Sequence, residues 1–327
     1  MERKIQRALI SVFHKEGLED IVRALHDLGV EIVSTGGTKD FIESLGVPAV
    51  AAEDLTKYPS MLGGRVKTLH PAIFGGILAR RDEEKDLQEV AQYDLRLFDL
   101  VLVDLYPFAA TVASGAPEAD IIEKIDIGGI SLIRGAAKNF RDVLIVSSSA
   151  QYPLLLEILT NQKGCTSLEE RKRFAGAAFA VSSGYDSAIF NYFDGGEGTA
   201  LRIAYDGVET LRYGENPHQK AYHYVQDNNE SYALQNAVQL HGKEMSYNNI
   251  QDASAALDIL AEFDEIACVA VKHMNPCGVA IGKDVFEAYS RAYDADPVSI
   301  FGGIVAVNGV VDKATAEKMH SIFLEII

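Results

Sequence analysis

The sequence is short of cysteine, of long apolar runs and of positive charge. Its three cysteines, Cys165, Cys268 and Cys277, are odd in number and widely scattered. That argues against a disulfide framework and points to a reducing, cytoplasmic setting. No apolar run approaches the length of a membrane span. The opening MERKIQRALISVFHKEG returns to charge too soon for a secretory leader. Lys and Arg number 30 against 47 Asp and Glu, a net charge of −17. A chain built to hold a nucleic-acid backbone shows the opposite sign, so nucleic acid is not an expected partner, and for want of a spanning run neither is a membrane. Apolar residues at 48% and charged residues at 24% are ordinary for a globular protein. At 327 residues the chain exceeds what one core usually organises, and two domains are expected.

Strand-like and helix-like segments alternate. RALISVF (7–13), VEIVST (30–35), LFDLVLVDLYPF (97–108) and DVLIVSS (142–148) read as strands, the third apolar enough to be buried on both faces. GLEDIVRALHDLG (17–29) reads as an amphipathic helix and GGTKDFIESLG as a turn and helix. Strands spaced by helices predict an α/β fold with a covered parallel sheet. Ser167 and Glu170 form a capping box opening a long helix, whose stripe Leu168, Phe174, Ala178, Val181, Tyr185 and Ile189 reads as core. DGGEGTA (194–200) breaks the pattern and places a domain boundary, giving domains 1–197 and 198–327. In the second, IACVAVKH (266–273) and SIFGGIVAVN (299–308) read as strands. The chain stops at EKMHSIFLEII, which reads as an unfinished helix and hence as a fragment.

Ligands of open parallel sheets bind beyond the carboxyl ends of the strands, so polar residues there carry the most weight. Ser11 and Lys15 follow the first strand. Ser34, Thr35, Gly36, Gly37 and Thr38 follow the second, where glycines at a helix start either cradle an anion or simply make a turn. Tyr106 ends the long strand, in a place where most tyrosines pack with a satisfied hydroxyl. Asp126 precedes a Gly-Gly pair, and Lys138 lies in a last helical turn, where the helix dipole alone explains a cation. MLGGRVKTLHPAIFGGIL (61–78) adds Arg65, Lys67, Thr68 and His70 on a glycine-rich backbone. Singly, each has a plain structural explanation. Together they suit a phosphorylated polar substrate whose reaction develops charge on oxygen.

STGGT, MLGGRVKTLHP, LYPF, IDIGGISLIRGAAKN, LRYGENPHQ and VKHMNPCG, in this order, resemble the family of bifunctional purine biosynthesis proteins. The resemblance implies a methylglyoxal-synthase-like domain with inosine monophosphate (IMP) cyclohydrolase activity. It implies next the first part of a cytidine-deaminase-like domain, the aminoimidazole carboxamide ribonucleotide (AICAR) transformylase. Lys67, Tyr106, Asp126 and Lys138 are then the cyclohydrolase residues, with Ser11, Lys15, Ser34 to Thr38, Arg65 and Thr68 holding the nucleotide. Lys272 and His273 serve formyl transfer, and Arg212, Tyr213, Asn249, Ser299, Phe301 and Gly302 bind AICAR. The family's co-substrate is 10-formyltetrahydrofolate, with no tightly bound cofactor, and its members form homodimers. Family chains run beyond this one, so only the cyclohydrolase step is expected to be complete here. A zinc site is not expected, because PCGVA lacks the second cysteine of P-C-x-x-C and no H-x-E precedes it. A methylglyoxal-synthase-like lyase or a non-catalytic nucleotide-binding module are the alternatives.

Overall fold

The computed structural model describes residues 2–205, 207–225 and 233–327, which form two compact units, Met1–Ala204 and Tyr205–Ile327. The division falls seven residues beyond the boundary expected after residue 197.

The first unit is built on five parallel strands: β1 (Arg7–Ser11), β2 (Glu31–Ser34), β3 (Val50–Ala51), β4 (Leu100–Val103) and β5 (Leu144–Val146). Their order is β3-β2-β1-β4-β5. All four residues of β4 are buried, as the apolar run predicts, although the strand is much shorter than 97–108. The two-residue edge strand β3 carries too few residues to show a period and was not expected. Helices α1 (Leu18–Asp27), α2 (Gly36–Ser44), α3 (Pro71–Leu78), α4 (Gly128–Lys138), α5 (Tyr152–Asn161) and α6 (Leu168–Asp194) surround the sheet. Helix α1 packs on α5, while α4 packs on α3 and α6.

Close approach rather than flexibility explains Gly76 in α3. A Cβ there would lie 2.1 Å from the Arg96 carbonyl oxygen and 3.0 Å from the Phe98 ring. Gly76→Ala should therefore destabilise the unit by about 2–3 kcal/mol despite alanine's better helix propensity. A lower urea midpoint with an unchanged slope is the expected reading; an unchanged midpoint refutes it.

The Ser167–Glu170 capping box is present: Ser167 Oγ accepts from the Glu170 amide at 3.1 Å, and Glu170 accepts from the Ser167 amide at 2.7 Å. Of the stripe along α6, Phe174 and Ala178 are buried, but Val181, Tyr185 and Ile189 are only half-buried. Its second half meets the short helix Phe108–Ala113 and the stretch Lys124–Asp126.

The amino ends of the strands are held by charge. Asp99 accepts hydrogen bonds from the Gln6 and Arg7 amides and from Arg81. Asp142 pairs with Arg3 at 2.5 Å. Arg171, fully buried, donates to the carbonyls of Phe140, Arg141 and Thr166.

In the second unit, β6 (Ala267–Lys272) lies between β7 (Asn275–Ile281) and β8 (Ile304–Val307), antiparallel to both. The hairpin strand β7 was not expected; the two strands that were, β6 and β8, pair side by side. Ala267, Val269 and Val271 of β6 pack with helix α7 (Tyr247–Leu260), and Cys268 and Ala270 with helix α8 (Val285–Ala295). That alternation is the period of a strand buried on both faces. The expected terminal helix is short: α9 spans Lys313–Met319, after which the chain turns and Ile326 bridges Ile304.

Candidate functional site

Strand order reverses between β1 and β4, so the loops after these neighbours part and leave a crevice, the usual ligand position in such sheets. The cleft there has a volume of about 1070 Å³. Ser11, Lys15, Thr35, Gly37, Thr38, Arg65, Lys67, Thr68, Tyr106 and Asp126 all line it. Five segments far apart in sequence thus meet at one place.

The hydroxyl wall is tied together from within. Ser11 Oγ and Thr35 Oγ1 share a hydrogen bond of 2.8 Å. Thr38 Oγ1 donates to the Val12 carbonyl at 2.9 Å and accepts from the Val12 amide at 3.2 Å. Ser34 stands behind this wall, fully buried, donating to the Ile10 carbonyl at 2.7 Å. Thr35 is the N-cap of α2 but makes no side-chain cap bond, leaving a positive helix end at the cleft for an anion.

Gly36, at φ +42°, marks where the lysine arrives: a Cβ there would stand 3.2 Å from Lys67 Nζ. Lys67 follows a turn at Leu62–Gly64 with three successive positive φ angles. Arg65 reaches out of the same turn and pairs with Glu123. His70 is not part of the site. Its Nδ1 accepts from the Ala72 amide at 3.1 Å, capping α3 ahead of Pro71.

Asp126 caps the other helix facing the cleft, accepting from the Gly129 amide at 2.6 Å. A Cβ on Gly129 would lie 2.5 Å from its carboxylate, so the Gly-Gly pair makes room for this acid. Burial pushes the Asp126 carboxyl above its ordinary range, and Asp104 adds to this. The amides of Gly129 and Tyr106, and the Lys67 charge, oppose it. Burial likewise raises the Tyr106 phenol, reinforced by Asp126 and Asp104. Burial lowers Lys15; Asp104 and Glu16 oppose that shift, and Lys67 adds to it. The Lys15 ammonium folds back on the carbonyls of Val12 and Phe13. The cleft therefore holds the Lys67 side chain beside Gly36, with a phenol and a carboxyl whose protonated forms burial favours.

Lys138 is not brought there. It is exposed at the last turn of α4, ten residues from the helix start and so about 15 Å along the axis from the Asp126 end. Sequence reasoning also missed members of the site. Asp104, one residue past β4, accepts from the Phe13 and His14 amides and from His14 Nδ1, fixing the loop after β1. Its place at a strand end could have marked it. Lys124 lies over the rings of Phe13 and Tyr106, 5.3 and 5.7 Å from their centroids, and nothing in its local sequence signals this.

In the second unit, His273 and Met274 form a two-residue hairpin turn, both at positive φ (53° and 60°), between the paired residues Lys272 and Asn275. Such turns normally take Asn-Gly. Here the Asp252 carboxylate accepts from both turn amides, at 3.3 and 2.7 Å. Lys272 Nζ donates to the Phe301 carbonyl at 2.7 Å, and a Cβ on Gly302 would lie 3.9 Å from Nζ. This joins the strand end to the Ser299–Gly303 turn, where Ser299 donates its amide to Asp296. Asn249 serves the Ser246 capping box of α7. Arg212 stacks on Tyr213, 5.5 Å from its centroid. Among the described residues neither shares a hydrogen bond, ion pair or ring contact with Lys272 or His273. Among the described residues, too, no three His, Cys, Asp or Glu side chains gather as a metal site, and Cys277 turns its Sγ to the Ala270 carbonyl at 3.5 Å.

The model of the MGS-like domain matches residues 17–131, and that of the AICARFT/IMPCHase bienzyme matches 136–327. The chain is 58% identical, over 99% of its length, to the bifunctional purine biosynthesis protein PurH of Bacteroides thetaiotaomicron, and 50% identical to that of Listeria monocytogenes. It spans 63% and 64% of the length of these relatives. A solved structure titled as that of ForH matches with a TM-score of 0.50 at 34% identity, covering 58% of this chain and 99% of that one. Two adjoining matches and a near full-length resemblance to PurH lead to one assignment: the chain belongs to the AICARFT/IMPCHase bienzyme family.

Proposed function

We propose that the first unit closes the purine ring of IMP. The carboxamide nitrogen of formyl-AICAR attacks the neighbouring formamide carbon, and the former formyl oxygen leaves as water. The observation that carries this reading is the convergence of Lys67, Tyr106 and Asp126 in one cleft walled by hydroxyls and two helix N-termini. An amide nitrogen is a weak nucleophile, and its addition places negative charge on the formyl oxygen. Lys67 meets that charge, with Tyr106 as a second donor. Asp126, its carboxyl raised by burial, orients the amide and accepts its proton. Ser11, Thr35, Thr38 and Thr68, with the open end of α2, Lys15 and Arg65, hold ribose and phosphate. Lys138, which does not line the cleft, takes no step in this reading.

The second unit belongs in this reading to formyl transfer from 10-formyltetrahydrofolate to AICAR. His273 acts as base and Lys272 stabilises the transferring group, and Arg212, Tyr213, Asn249 and the Ser299–Gly303 turn bind AICAR. His273 stands exposed and Lys272 is engaged by a backbone carbonyl, so we expect the 327 residues to carry cyclisation without transfer. The setting is cytoplasmic and the assembly a homodimer; no helix among the described residues is long and apolar enough to cross a membrane. Assaying the purified chain separately on formyl-AICAR and on AICAR with 10-formyltetrahydrofolate tests both statements. IMP from the first mixture and no formyl-AICAR from the second is the expected pair. Transfer that disappears in His273→Ala would refute the second statement. The MGS-like match also allows a nucleotide-binding regulatory module. Nucleotide binding without any IMP formation would favour that reading.

A further inference from the structure

The stretch Lys124–Ile125–Asp126 carries the cleft's carboxyl from one helix to the next, and it is tied to the long helix α6 through one side chain. The Tyr185 hydroxyl accepts a hydrogen bond from the Asp126 amide at 2.9 Å and donates one to the Lys124 carbonyl. One oxygen thus holds both ends of the stretch. The ring of the same tyrosine packs edge-on against Phe108, with centroids 6.2 Å apart. Phe108 is 1% exposed, and its amide donates to the Tyr106 carbonyl at 2.8 Å. The hydroxyl therefore fixes the Asp126 loop while the ring braces the turn that presents Tyr106.

We propose that Tyr185 is a positioning residue for ring closure, setting Asp126 against Tyr106 by bonding one loop and packing on the other. This rests on the cyclohydrolase reading of the cleft. Burial pushes the Tyr185 phenol up to about 12, so it stays a donor throughout the neutral range. The Asp126 carboxyl is faced by the Gly129 and Tyr106 amides, by Lys67 and by Asp104. Freeing the loop changes its distance to all of them and lets water reach it. A displacement of about 1 Å at a reacting group can cost on the order of a hundredfold in rate.

The test is Tyr185→Phe in the full chain, which keeps the ring and removes only the two backbone bonds. The expected result is a fall in kcat for formyl-AICAR cyclisation of about tenfold or more, with KM nearly unchanged. The Asp126 carboxyl, followed by NMR titration of the free protein, should move down toward the ordinary carboxylate range. Tyr185→Leu, which also removes the ring, should lower kcat further. A Tyr185→Phe protein with unchanged kcat and unchanged Asp126 titration overturns the proposal, even if its Tm falls, because the tie is then structural only. Should the parent chain make no IMP, the cyclohydrolase reading fails by itself, while the Asp126 titration still decides whether Tyr185 holds the loop.

Discussion

Lys67→Ala should lower kcat for ring closure by roughly a hundredfold or more while raising KM only slightly. The expectation follows from where the ammonium sits. It lies against Gly36, close to the charges of Lys15 and Asp126 rather than out in solvent. The phosphate assigned to Lys15 is already charged when the substrate binds, whereas the oxygen that Lys67 meets gains its charge only as the amide adds. Lys67 is thus better matched to the transition state than to the ground state. Lys67→Arg should not restore the rate, because a planar guanidinium does not place a compact charge and a transferable proton where the ammonium lies beside Gly36 and Gly64. Kinetics at saturating formyl-AICAR decide the matter. A variant with normal kcat and a strongly raised KM would return Lys67 to phosphate binding.

Asp126→Asn should separate activity from stability. The folded protein raises this carboxyl above its unfolded value, so it binds the proton more tightly than the unfolded chain does. The stabilisation linked to that proton is fully present below the ordinary carboxylate range and is lost as pH rises through the raised folded pKa. At pH 7–8 the ionised group is therefore a cost, which asparagine avoids while its Oδ1 still accepts from the Gly129 amide. We expect kcat to drop about a hundredfold or more and Tm at pH 7–8 to equal or exceed that of the parent. At acid pH the Tm advantage should vanish. A variant that loses stability in step with activity would show that Asp126 serves chiefly as a helix cap.

Much of this site was legible because it obeys a one-dimensional rule: residues that follow strands. Ser11, Thr35, Tyr106 and Asp104 sit at strand ends, and knowing the strands nearly suffices to find them. The glycines at 36 and 129 were legible as exceptions, although what they accommodate, Lys67 Nζ and the Asp126 carboxylate, is not. Lys138 shows the limit in one direction. It lies within a motif that contains Asp126, yet a helix carries it away along its own axis. Tyr185 shows the limit in the other: as one aromatic in a helical stripe it looks like packing, and only the packing of α6 brings it to the stretch Lys124–Asp126. In the second unit, β7 was hidden because its residues alternate weakly. The left-handed His273–Met274 turn was hidden because its support, Asp252, comes from another helix.

The strand order that opens the crevice also sets a problem for a chain still being made. β1, β2 and β3 can assemble once residue 51 has emerged, but the free edge of β1 must wait for β4, near residue 100. Over that interval a central strand with an apolar middle, Ala8 to Ile10, has an unpaired side, the feature that most readily recruits a strand from another molecule. Slow, non-local pairing of this kind prolongs the exposure. The seam that later opens as the cleft is, on the ribosome, the place where the nascent protein is most open to pairing with a stranger.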